Sequence, residues 1–137
     1  MITYEELTSE QRHLYLQALV AVARADGAID EAETAFLADI AVGCGVDEAT
    51  LAGLLKGEAI DPSQFPPLRG EVGALILRDA AAMAVINNDF TEGEEALIKA
   101  MGSALGFAAD EVEEFLNWGF MGMQWQKMAV RLIEQYA

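Results

Sequence analysis

Ala23-Arg24-Ala25-Asp26-Gly27-Ala28-Ile29-Asp30-Glu31-Ala32-Glu33 joins two runs of helically spaced apolar residues through a tight acidic turn, and the fold is read outward from it. Upstream, Thr8 and Gln11 form a capping-box pair, in which hydroxyl and amide each satisfy a backbone N–H at a helix start. The helix they open is predicted to run to about Ala25. Downstream, Asp30 and Glu33 repeat the signal, and Phe36, Leu37, Ile40, Ala41 and Cys44 then make a single apolar stripe. Gly43 and Gly45 allow a left-handed exit from that second helix. A short third helix starts after Asp47 and stops at Lys56 and Gly57, before a connection carrying Pro62, Pro66 and Pro67.

The same series then returns. A helical pattern resumes between Leu68 and Ile86, although Gly70 and Gly73 blur its start. Thr91 with Glu94 gives another capping box, followed by Leu97, Ile98, Met101 and Leu105 on one face, a stop at Gly106, and a short helix from Glu111 to Trp118. A last helix, from about Phe120 to Tyr136, presents Met121, Trp125, Met128, Leu132, Ile133 and Tyr136 on one side. Sliding residues 14–56 onto 75–117, an offset of 61, leaves nine of 43 positions identical. The apolar register is the stronger signal: Phe36 falls on Leu97, Leu37 on Ile98, Ile40 on Met101, Cys44 on Leu105, Leu51 on Val112 and Leu54 on Phe115. Alternating strand patterns bounded by hairpin turns are absent. The expectation is an all-α fold of about seven helices. Two pseudo-twofold-related three-helix repeats pack together in a single domain over 1–137, with a closing C-terminal helix over their seam.

Composition narrows the function. Of 137 residues, 53 % are hydrophobic, enough for a conventional core. Eight Lys and Arg against 23 Asp and Glu give a net charge of −15, which repels phosphate backbones and anionic headgroups. Nucleic acid is therefore an unsuitable partner. Membrane insertion is not expected either, since the longest uncharged run near the end, 115–126, is far short of the roughly 20 apolar residues of a span. The acidic opening (Glu5, Glu6, Glu10) lacks signal-peptide character and Cys44 has no internal disulfide partner, so the expected location is cytoplasmic.

The chemistry-bearing residues are the two acidic turns. With Glu33 as the twelfth ligand of an EF-hand, Gly27 is sixth and Asp26 fifth, but the first and third fall on Val22 and Arg24, so an EF-hand is rejected. Asp26, Asp30, Glu31 and Glu33 remain as oxygen donors around a turn, able to offer two or three oxygens to a hard cation. In the second copy Asn87 stands where Asp26 stood and Thr91 where Asp30 stood, while Asp89, Glu92 and Glu94 supply carboxylates. Were a pseudo-twofold axis to bring the turns together, these side chains would share a hard cation (calcium, magnesium or manganese) in preference to zinc. The plain alternative is that Gly27 makes the turn and the acidic residues cap helices. Cys44 reads as a buried small hydrophobe, His13 as a structural histidine without a nucleophile partner, and Glu94-Glu95 and Glu113-Glu114 as solvated helix faces. Trp118, Phe120, Met121, Met123, Trp125 and Met128 suit either a partner helix or closure of the bundle, and closure is the simpler reading.

The paired pattern, an apolar helix ending in A-D-G-x-I-D-x-x-E and then x-x-F-L-x-x-I-A, resembles the TerB family associated with tellurite resistance. It is also similar to the related domain of membrane-anchored DnaJ-like co-chaperones. Ala25, Asp26, Gly27, Asp30, Glu33 and Leu37 match the first motif; Asp89, Glu92, Glu94, Leu97 and Leu105-Gly106 match the second more loosely. The second copy departs from the family in carrying Asn87-Asn88 for the usual Asp-Gly. The resemblance implies a helical bundle, no catalytic activity, a divalent-metal or partner-binding role, and a place in stress-response complexes. Tellurite is itself an oxyanion that so acidic a chain repels, and a lone cysteine offers no second thiol for its reduction. The expected function is that of a non-catalytic cytoplasmic binding module for a cation or for a protein partner, basic in character or a second copy. A metal-free acidic interaction domain is the alternative, and an enzyme using the inter-repeat cleft stands third.

Overall fold

A computed structural model describes residues 1–25, 27, 29–57, 61–86 and 89–137. Among them every regular element is helical: α1 (Ser9–Ala23), α2 (Glu31–Gly43), α3 (Glu48–Lys56), α4 (Glu71–Val85), α5 (Glu92–Leu105) and α6 (Ala109–Gln135), with single 3-10 turns at Tyr4–Glu6 and Pro62–Gln64. The expected capping boxes open three of these helices. Thr8 Oγ1 accepts from the Gln11 N–H at 3.1 Å while Gln11 Oε1 accepts from the Thr8 N–H at 3.0 Å, and Asp30 with Glu33 and Thr91 with Glu94 do likewise for α2 and α5.

Two helices form the middle of the fold. Tyr15, Leu16, Leu19, Val20 and Val22 of α1 and Leu75, Ile76, Leu77, Ala80 and Met83 of α4 are buried on more than one side, as expected of helices surrounded by others. They pack on each other, and α2, α3, α5 and α6 flank them. Leu37, Cys44, Leu51, Ile98, Met101, Leu105, Val112 and Leu116 extend the same core outward. Close approach to α4 relies on Gly73, where a Cβ would lie 2.1 Å from the Leu68 carbonyl oxygen. That apparent helix breaker marks tight packing. The Leu68 N–H in turn donates to the Leu105 carbonyl at 2.9 Å, fastening the proline-bearing connection to the end of α5.

Three expectations need correction. Six α-helices are seen among the described residues where seven were expected, because the short helix from Glu111 and the last helix from Phe120 are one continuous helix, α6. The expected break at Gly119 does not occur: a Cβ there would meet the Ala81 carbonyl oxygen at 3.1 Å, so the glycine lets α6 approach α4 without interrupting its hydrogen bonding. Nor does the end of α6 close a seam. Val112, Leu116, Gly119 and Met123 face the core, whereas every residue from 124 onward is exposed. The helix starts recur in order, α2 and α5 at 31 and 92, α3 and α6 at 48 and 109. Recurring order does not fix a rotation relating the halves, and the centre is chemically unsymmetric, with Asp79 on α4 where the offset places Ala18 on α1.

Candidate functional site

Each acidic turn follows a central helix and leads into a flanking one. In the first, Gly27 adopts φ +101°, the left-handed backbone that lets the chain reverse after α1. Asp30 is the N-cap of α2: its Oδ1 accepts from the Glu33 N–H at 2.8 Å, and Glu33 Oε1 accepts from the Asp30 N–H at 3.2 Å. Glu33 is buried, so its carboxylate faces inward against the turn. Asp26, the residue on which the shared-ion expectation leans most, lies outside the described residues, as do Asn87 and Asn88 of the second turn.

The second turn is built alike where it is described. Thr91 Oγ1 accepts from the Glu94 N–H at 3.1 Å, and Glu94 Oε1 accepts from the Thr91 N–H at 3.0 Å and from the Thr91 hydroxyl at 3.1 Å. Glu94 is 1 % exposed, the most buried acidic side chain among the described residues. Asp89 and Glu92 stand exposed at the same helix start, where negative charge suits the positive end of the helix dipole. The donors are hard carboxylate oxygens and fit calcium, magnesium or manganese in kind. In number they do not: among the described residues no group of three or more His, Cys, Asp or Glu side chains converges as a metal site.

Residues 3–55 match the family model of the tellurite resistance protein TerB. This part of the chain is TerB-like. The TerB-like segment runs through α1, the first acidic turn, α2 and almost all of α3; the second turn lies beyond it. No curated protein and no solved structure gave a match.

A buried polar node within reach of the TerB-like segment went unread in the sequence. Asp79, on α4, is buried, and its Oδ2 accepts from the Tyr15 hydroxyl of α1 and, at 2.8 Å, from the Tyr4 hydroxyl of the opening segment. Its other oxygen accepts from Arg78 Nε at 2.8 Å. The Tyr4 and Tyr15 rings lie 5.2 Å apart, tilted. Burial first, and then the Asp79 charge, push the Tyr15 phenol far above its ordinary range; burial raises Tyr4 as well. Both phenols therefore remain donors, and the node ties three parts of the chain together. The available signal was Arg78-Asp79, the sole charged pair in the apolar run 74–86, facing a helix whose buried side carries a tyrosine. Cys44 is core as expected: it is buried, and burial raises its thiol pKa, leaving it protonated.

Beside this node a cleft of about 680 Å³ opens between α4 and α6, lined by Ile2, Leu75, Phe115 and Trp118 with Arg78, Glu71 and Glu114 among its polar residues. A smaller one of about 350 Å³ lies further along the same helices, with Trp118, Met123, Val130 and Ile86 in its walls. No helix among the described residues is long and apolar enough to cross a membrane.

Proposed function

We propose that this protein is a non-catalytic binding module of the tellurite-resistance-related kind, acting in a cytoplasmic stress response through its acidic turns. The observation that carries the reading is the TerB match itself, which contains the turn 24–33 with its left-handed Gly27 and paired Asp30 and Glu33. In this reading Asp26 completes a hard-oxygen set with Asp30 and Glu33, and Asp89, Glu92 and Glu94 join it through a pseudo-twofold relation of the two halves. Calorimetric titration with calcium or manganese tests it. Asp30→Asn is the informative variant, because asparagine caps a helix about as well as aspartate but removes the charge. Saturable binding that weakens at least about tenfold in Asp26→Asn and Asp30→Asn, with unaltered melting in chelator, is the expected result. Absence of saturable heat in the unaltered protein removes the cation.

A metal-free acidic interaction domain is the second reading, and it is favoured by the capping geometry: Asp30, Glu33 and Glu94 each already bind backbone N–H groups. It predicts a basic partner whose capture weakens steeply with salt.

A further inference from the structure

Past Met123, α6 buries none of its residues, although Gln126 and Val130 border the smaller cleft. From 124 to 135 every residue is exposed, yet the side chains are not those of a solvated helix. Trp118, Met121, Trp125, Met128, Leu132 and Tyr136 alternate at spacings of three and four and fall on one stripe, each between about half and four-fifths exposed. Ile133 borders the stripe, and Lys127, Arg131 and Glu134 lie on the opposite side. The first half of α6 nucleates this segment, but twelve further residues without packing are marginal in water, and a contact along the stripe would stabilise them.

We propose that the stripe is a homodimer interface in which α6 pairs antiparallel with α6 of a second copy. Three observations select this occupant. The exposed part of the stripe amounts to roughly 800 Å² per copy, about what each partner contributes to a stable interface. Charge points the same way. A chain of net charge −15 repels its own copies almost everywhere, but residues 124–137 carry two cations and one side-chain anion, and the stripe carries none. Geometry sets the direction: the body of the molecule is attached to the first half of α6, so a parallel pair brings two acidic bodies side by side, whereas an antiparallel pair holds them at opposite ends. With Trp125 against Met128 of the second copy and Met121 against its Leu132, the end of the second copy's α6 lies over Trp118, at the mouth of the 680 Å³ cleft. This interface is independent of the acidic turns and stands whether or not they take a cation.

Sedimentation equilibrium of the full chain across a dilution series tests the proposal. Expected is a mass of twice 14.8 kDa that dissociates on dilution, with Trp125→Glu and Met128→Glu each weakening association by more than about 30-fold. Both positions are exposed in the single chain, so their folding is checked simply by retention of the core near-ultraviolet signal. Direction is read by oxidising an equimolar mixture of Met121→Cys and Leu132→Cys proteins, which is expected to give the mixed disulfide. A monomer at every concentration overturns the proposal, as do disulfides formed only between identical variants. Binding of a monomeric chain to neutral vesicles, lost in Trp125→Glu, also overturns it and assigns the stripe to a lipid surface.

Discussion

Three side chains converge on Asp79. It accepts from two tyrosine hydroxyls and pairs with Arg78, which the interaction holds further above its usual range. Replacing Asp79 with alanine leaves two phenols and a guanidinium without their acceptor, and a loss of about 3 kcal/mol in urea unfolding is expected. Tyr15→Phe is expected to cost about 1 to 3 kcal/mol by the same measurement. The Tyr15 phenol also sets an alkaline limit. Its pKa is raised in the folded state, so its contribution is complete below the unfolded value near 10 and falls as pH rises beyond it, where only the unfolded chain can release the proton. Thermal melts between pH 8 and pH 11 are expected to fall gently at first, as the raised Cys44 thiol begins to count, and more steeply above about 10, with the steeper part reduced in Tyr15→Phe. The capping residues were legible because a cap is a short-range event: Thr8 with Gln11 and Asp30 with Glu33 meet across three residues. Asp79 was not, because its partners sit 64 and 75 positions away in sequence.

Among the elements, α5 and α6 show how small residues decide what the apolar pattern leaves open. At Gly102 of α5 a Cβ would come within 2.4 Å of Val112 Cγ2, so the Val112 side chain of α6 rests directly on the α5 backbone. Gly102→Val is expected to destabilise by about 1 to 3 kcal/mol through overpacking, measured by denaturant unfolding, with part of the loss recovered in the double variant with Val112→Ala. Sequence spacing placed α1, α2, α3 and α5 within a turn or so of where they lie, since capping and apolar period are local. It divided α6 between Trp118 and Phe120, because the spacing holds no sign that the Ala81 backbone occupies the space a side chain at Gly119 would take. The stripe of α6 was likewise visible as a stripe; that it faces outward is decided by Val112, Leu116, Gly119 and Met123, which turn the other side of the helix to the core.

For the molecule as a whole, the dominant long-range term is self-repulsion. Few cations offset the 23 acidic residues: Lys99 bridges Glu95 at 2.9 Å and Glu113 at 3.3 Å, Arg69 pairs with Glu111, and these pairs are substantially exposed and stabilise little. Added sodium chloride is therefore expected to raise the melting temperature by a few degrees, since screening relieves repulsion more than it weakens the pairs; circular dichroism at low and moderate salt measures it, and a fall would mean that the pairs dominate. The helical class, the caps, the burial of Cys44 and the likeness to TerB could all be read along the chain, because each rests on periodicity or on residues a few positions apart. The Asp79 node, the unbroken α6 and the outward face of its second half could not. They arise where distant segments meet or fail to meet, and the pattern of a single helix contains no record of the surface, or the empty space, that lies beside it.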